Sequence, residues 1–178
     1  DMLSVLPPQY LSWVKDTKIE GNSDLFFSLK GRFSEPKNQK PDFKASLKVD
    51  NGFVSNTNAP VPMNNLNLDM NVELPALDTD KLLLDLRNLS FDLGKNNQFR
   101  AKVRTQGLNE MNINANIKGG IDLATLDAAL GLKDIELKGL MNTDIQSHGI
   151  FNLDKKLFPK TKGYFNLKNG WLKTKYYP

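Results

Sequence analysis

The feature that most constrains this chain is a period-two alternation of apolar and polar side chains, sustained over most of its length. Phe43, Ala45, Leu47 and Val49 alternate with Lys44, Ser46, Lys48 and Asp50. Leu66, Leu68, Met70, Val72 and Leu74 alternate with Asn67, Asp69, Asn71 and Glu73. Phe99, Ala101 and Val103 alternate with Arg100, Lys102 and Arg104, and Met111, Ile113, Ala115 and Ile117 alternate with Asn112, Asn114, Asn116 and Lys118. Phe27, Leu29, Gly31 and Phe33 extend the pattern, as do Leu82, Leu84 and Leu86, followed by Leu89, Phe91 and Leu93. Only an extended strand puts residues i and i+2 on one side, so the chain is expected to be mainly β, greasy on one face and wet on the other. Short connections imply antiparallel neighbours. About ten strands are expected, stacking over roughly 50 Å at the usual strand spacing.

Turn chemistry and one helix punctuate the strands. Asn51-Gly52 and Asn169-Gly170 sit inside apolar alternation. That dipeptide suits a two-residue type I′ hairpin, which would set Val49 against Val54 and Leu167 against Leu172. Phe53 and Trp171 would then close the hairpins or touch a neighbouring repeat. A helix of about two turns is expected from Asp122, its cap, through Leu123, Leu126 and Leu130 to Gly131. Asp78 and Asp80 read as turn residues.

The chain also aligns with itself without a gap at an offset of 118 residues. Lys15-Asp16 falls on Lys133-Asp134, Gly21 on Gly139, Gly31 on Gly149, Phe33 on Phe151 and Pro41 on Pro159. Asn51-Gly52-Phe53 falls on Asn169-Gly170-Trp171, and Pro60 on Pro178. These are turn glycines, prolines and apolar strand positions, where backbone geometry dictates the residue. The helix falls on Ser4–Ser12, where Pro7-Pro8 replaces Thr125-Leu126 and should distort or delay the first copy. Residues 1–120 therefore read as one repeat and 121–178 as the opening half of a second, in one continuous sheet. An incomplete repeat reads as an internal piece of a longer array.

Composition narrows the chemistry. With no Cys and one His in 178 residues, thiol nucleophiles, disulfides and His clusters are excluded. No phosphate-loop, nucleophile-elbow, zinc-helix or calcium-loop spacing occurs. No catalytic residue, metal or cofactor is expected, and the chain does not read as an enzyme. His148 follows Gln146 on the outward phase and reads as a surface residue. The net charge of +4 is uneven: residues 150–178 hold seven Lys and one acid, while the rest is slightly acidic. That basic segment suits a solvated lysine-rich strand or an anionic lipid surface. Nucleic acid is not expected, because Arg is scarce and no binding motif is present.

What covers the apolar face decides function. A closed barrel or two-sheet sandwich would hide it, whereas a curved open sheet would leave a trough for an apolar ligand. Periodicity alone leaves these equal. The candidate lining comprises Phe27, Leu29, Phe33, Leu47, Val49, Leu66, Leu68, Met70, Val72, Leu84 and Leu86. It continues through Phe91, Leu93, Phe99, Val103, Met111, Ile113, Ile117, Ile145, Phe165 and Leu167.

Two runs add a family resemblance. Residues 117–149, "IKGGIDLATLDAALGLKDIELKGLMNTDIQSHG", and 162–178, "KGYFNLKNGWLKTKYYP", resemble AsmA-like proteins, particularly the large ones of Bacteroidota. The pattern is a G-x-I-D-L-A helix start at Gly119–Ala124, a strand at Leu137–Ile145, and an Asn-Gly element at Asn169–Pro178. A weaker copy lies at Ile19–Leu25 and Asn51–Pro60. The resemblance implies a curved, twisted antiparallel sheet forming an open apolar groove, with one or two short helices. It implies a periplasmic segment of an inner-membrane-anchored, bridge-type lipid transfer protein. Phospholipid or another acyl lipid would be its cargo, and outer-membrane biogenesis its role. The alternative is a β-rich structural or assembly factor for outer-membrane proteins, acting by edge-strand pairing.

Overall fold

The computed structural model describes residues 17–56, 61–94, 97–130 and 135–174. Eight strands form one open antiparallel sheet in which spatial order equals chain order. They are β1 (Thr17–Lys30), β2 (Asp42–Asn56), β3 (Met63–Leu74), β4 (Leu83–Leu93), β5 (Asn97–Gln106), β6 (Met111–Asp122), β7 (Ile135–Phe151) and β8 (Lys160–Thr174). The sheet is curved and twisted and leaves an apolar groove open on its inner side. One helix, α1 (Leu123–Leu130), and two short 3-10 turns, Pro75–Leu77 and Thr79–Lys81, complete the described structure. None of the described helices is long and apolar enough to cross a membrane. Eight strands among the described residues replace the expected ten, because Leu84–Leu86 and Leu89–Leu93 belong to a single strand and the Asn-Gly pairs lie inside β2 and β8 instead of between strands. Seven strand spacings then give a sheet roughly 34 Å wide, not 50 Å.

The strands are long, and bulges bend them. β4 shifts register against β5 between Leu86 and Leu89, so the even-numbered leucines before the shift and the odd-numbered residues after it share one face. A similar shift in β3, between Asn64 and Asn67, keeps Met63 on the face of Leu66. Asn65 takes the left-handed backbone there, with φ 51°.

The two Asn-Gly pairs correct the hairpin expectation. Asn51-Gly52 lies inside β2 and Asn169-Gly170 inside β8. Val49 and Val54 therefore follow one another along a strand, as do Leu167 and Leu172, and neither pair faces across a turn. Both asparagines have φ 52°. The positive φ that suits this dipeptide to a type I′ turn equally suits it to a bulge, so sequence alone does not separate the two. Gly21 and Gly139 oppose these bulges with φ +128° and +124°. A Cβ on Gly21 would lie 2.8 Å from the Gly52 Cα, and one on Gly139 would lie 2.9 Å from the Gly170 Cα.

These two bulges are 118 residues apart, as are the true strand connections. Ser34 bridges Gln39 after β1, and Asn152 bridges Leu157 after β7. Within those loops Asn38 and Lys156 both take positive φ, and their N–H groups donate to Glu35 O and Leu153 O. The hairpins β1–β2 and β7–β8 are thus built alike. Lys15-Asp16, Lys133-Asp134, Pro60, Pro178, the first-copy helix and Gly131 lie outside the described residues.

The core sits at one end of the sheet. Val54, Met63, Phe91, Leu93 and Ile121 are buried there, all on the inner face. Leu123 and Leu126 of α1 pack against them, with Leu66, Leu89, Phe99 and Met141. Asp122 caps the helix as expected, its Oδ1 accepting the Ala124 N–H at 3.0 Å. Asp127 Oδ2 accepts the Leu137 N–H at 2.9 Å and ties the helix to β7. The helix touches β2, β4, β6 and β7. On a flat sheet β2 and β7 would lie about 24 Å apart, twice the length of an eight-residue helix, so the sheet bends around it.

Candidate functional site

The ladder turns the alternation into rows that cross the inner face. One row runs Leu25, Leu47, Met70, Leu86, Val103, Ala115. A second runs Phe27, Ala45, Val72, Leu84, Thr105, Ile113. A third runs Val49, Leu68, Leu89, Ala101, Ile117, Ile145. Nearer α1 a fourth runs Phe91, Phe99, Gly119, Thr143, Phe165. The Phe91 and Phe99 rings stack at 5.5 Å over its start. Ile121 pairs with Met141 and Met141 with Leu167, continuing the apolar face into β8.

Coverage divides this face. At the core end α1 lies over it, and Leu93 is fully buried. Away from α1 the first and second rows are half-buried in β2–β6 and open at the β1 edge. Phe27 is 73% exposed there and Leu25 59%. Among the described residues, α1 is the only helix to lie against several strands. Among the described residues the groove is therefore shut by protein at one end of the strands and uncovered at the other.

Most of the expected lining residues share this face. Leu29 pairs with Phe43 and Phe43 with Leu74, beyond the second row. Met111 pairs with Phe151 at the same end. Phe33 is the exception. It lies past the end of β1, in the loop, and is 67% exposed. The alternation overran the strand there because Gly31, at φ +127°, already turns the chain. Leu25, Phe43, Leu74, Leu89, Ala115 and Phe151 are further lining residues. Leu25, Phe43, Leu74 and Ala115 were legible as simple continuations of each alternation. Leu89 was legible in the alternation with Phe91 and Leu93, and the bulge is what puts that run on the face of Leu84 and Leu86.

Composition of the rows changes toward β8. In the first row Ala115 is followed by Ser147 and Thr161. Their hydroxyls share a hydrogen bond at 2.9 Å. Ile113 in the second row is followed by Gly149. Apolar continuity into β8 runs instead through Phe165 and Leu167, nearer the helix. An apolar occupant crossing the sheet would have to shift along the strands at β7.

The outer face is charged and amide-rich. Lys44 pairs with Glu73 at 2.9 Å, Arg87 with Asp69 at 3.2 Å and Lys118 with Asp144 at 2.9 Å. Bonding to Asp144 raises the Lys118 pKa above 10.5. Phe53 and Trp171 lie on this face rather than closing hairpins. Lys18 stands over the Phe53 ring at 5.9 Å and Lys138 over the Trp171 ring at 4.7 Å. His148 pairs with Asn114 and Lys160 on the outward phase, as its position beside Gln146 suggested. Asp78 accepts the Asp80 N–H at 3.0 Å in the β3–β4 connection. That bond, with Lys81 beside it, holds the Asp78 carboxyl below 3.8. Among the described residues no cluster of three His, Cys, Asp or Glu could hold a metal.

No family model matches the chain, and comparison with curated proteins and with solved structures finds no match. The resemblance to AsmA-like proteins rests on the sequence motifs alone.

Proposed function

We propose that this chain is a segment of a periplasmic, bridge-type lipid transfer protein that holds acyl chains in its apolar groove. The observation that carries the reading is the part of the inner face that no described residue covers, rows of Leu, Ile, Val, Met and Phe crossing six strands. A contiguous apolar surface of that kind favours an apolar partner. Each methylene taken from water into the groove contributes roughly 0.8 kcal/mol. The polar outer face keeps the ribbon wetted while the inner face holds lipid. No covalent chemistry is involved, so the chain acts without being an enzyme. Membrane attachment through an anchor elsewhere in a longer protein belongs to the same proposal.

Opposite faces of one strand give the test. A photo-crosslinking amino acid at Ile113 faces the groove, and one at Asn114 faces solvent. Labelling of phospholipid from Ile113 but not from Asn114, read by mass spectrometry in cells, is the expected result. Equal labelling, or none from Ile113, overturns the proposal. Protein adducts formed instead along the β1 or β8 edge would favour an assembly factor working by strand pairing.

A further inference from the structure

The outer face of β5–β8 carries a second, chemically different surface. Lys102, Asn116, Gln146 and Lys162 occupy one cross-strand row. Arg104, Asn114, His148 and Lys160 occupy the adjacent row. In each row a long cation stands at either end and short or planar polar groups lie between. The result is a shallow depression with amide floors and basic walls. Two hollows, of ≈ 430 Å³ beside β8 and ≈ 320 Å³ beside β5, share Asn114 and Asn116 as floor and so run into each other.

Three of the four wall cations are free to take an anion, and the fourth shares an acid that also lines the hollow beside β5. Arg104 has Asp85 at 3.6 Å. Among the described residues Lys102, Lys160 and Lys162 stand in no ion pair. The nearby Asp144 is already held by Lys118. Opposite walls are three strand spacings, about 14 Å, apart.

We infer that this depression binds an acidic oligosaccharide, with its anionic groups on the Lys and Arg walls and its hydroxyls on the Asn and Gln floor. Charge complementarity selects a polyanion. The floor selects among polyanions. Primary amides both donate and accept, which matches the paired donor and acceptor character of sugar hydroxyls. A phospholipid surface would meet only the tips of the walls and leave the floor unused. A single-stranded nucleic acid needs aromatic platforms for its bases, and His148 is the only ring in these rows. This inference concerns the face opposite the groove and stands without the lipid reading.

Titration of the folded chain with tetragalacturonate, a sulfated heparin tetrasaccharide and neutral maltotetraose tests it, with anionic vesicles and oligo(dT) as competitors for the same surface. The expected result is binding of at least one acidic glycan, at least tenfold tighter than maltotetraose. The Lys102→Gln/Lys162→Gln variant should weaken it at least tenfold and Asn116→Ala several-fold. Lys30→Gln, on the distant β1, should leave it unchanged. Unaltered thermal unfolding of each variant separates lost binding from lost fold. Binding of neither acidic glycan overturns the inference. So does equal binding of vesicles or oligo(dT) with no effect of Asn116→Ala, because the surface would then read charge alone.

Discussion

Truncating Leu93 and Leu25 compares the two ends of the same apolar face. Leu93 is fully buried beneath α1, among Met63, Phe91, Ile121 and Leu126. Replacing it by Ala removes its transfer energy and leaves a cavity that the helix cannot fill without moving, so Leu93→Ala should cost about 3–4 kcal/mol. For a chain of this size that lowers the unfolding midpoint by roughly 6–16 °C. Leu25 keeps 59% of its surface exposed. It gives up only two-fifths of its area on folding, and Leu25→Ala should cost about 1 kcal/mol, or roughly 2–4 °C. Circular dichroism of thermal and urea unfolding reads both. Binding of a fluorescent fatty acid reads the other half of the argument, since Leu25→Asp should weaken it while leaving the fold near wild type. If Leu93→Ala is no more destabilising than Leu25→Ala, the division into a helix-covered core and an uncovered groove is wrong.

Other perturbations probe separate features. Gly21→Ala and Gly139→Ala each place a Cβ under 3 Å from a facing backbone at a φ that L-residues avoid, so each should lower the urea midpoint by an amount worth roughly 2 kcal/mol or more. Asp127→Ala removes the carboxylate that accepts the Leu137 N–H. It should cost about 1–2 kcal/mol in the same assay, and a silent variant would show that α1 is held by packing alone. Asp78 has a lowered pKa, so the stability it contributes is present above about pH 4 and is lost as pH falls through the lowered value. The difference in unfolding midpoint between wild type and Asp78→Asn should therefore shrink on acidification below pH 4, and a constant difference would refute the assignment.

Alternation alone determined that the chain is β, which residues share a face, and where most strands lie, because a strand's side chains must alternate whatever surrounds them. The repeat likewise announced that two hairpins would be built alike, since glycines forced to positive φ recur at the same offset. Bulges were not legible. Asn-Gly satisfies a tight turn and a bulge with the same backbone, and only the ladder that resumes on either side of each pair, β2 with β1 and β8 with β7, separates the alternatives. Leu89 and Phe33 mark the same limit from two directions, one joining the face after a register shift and the other leaving it where the strand ends. Tertiary structure alone decided whether the greasy face is shut. Nothing in a period of two says which rows a helix will cover, because coverage depends on how far the sheet bends and where the chain leaves β6, and α1 closes one end of the strands while no other described element covers the rows at the other end.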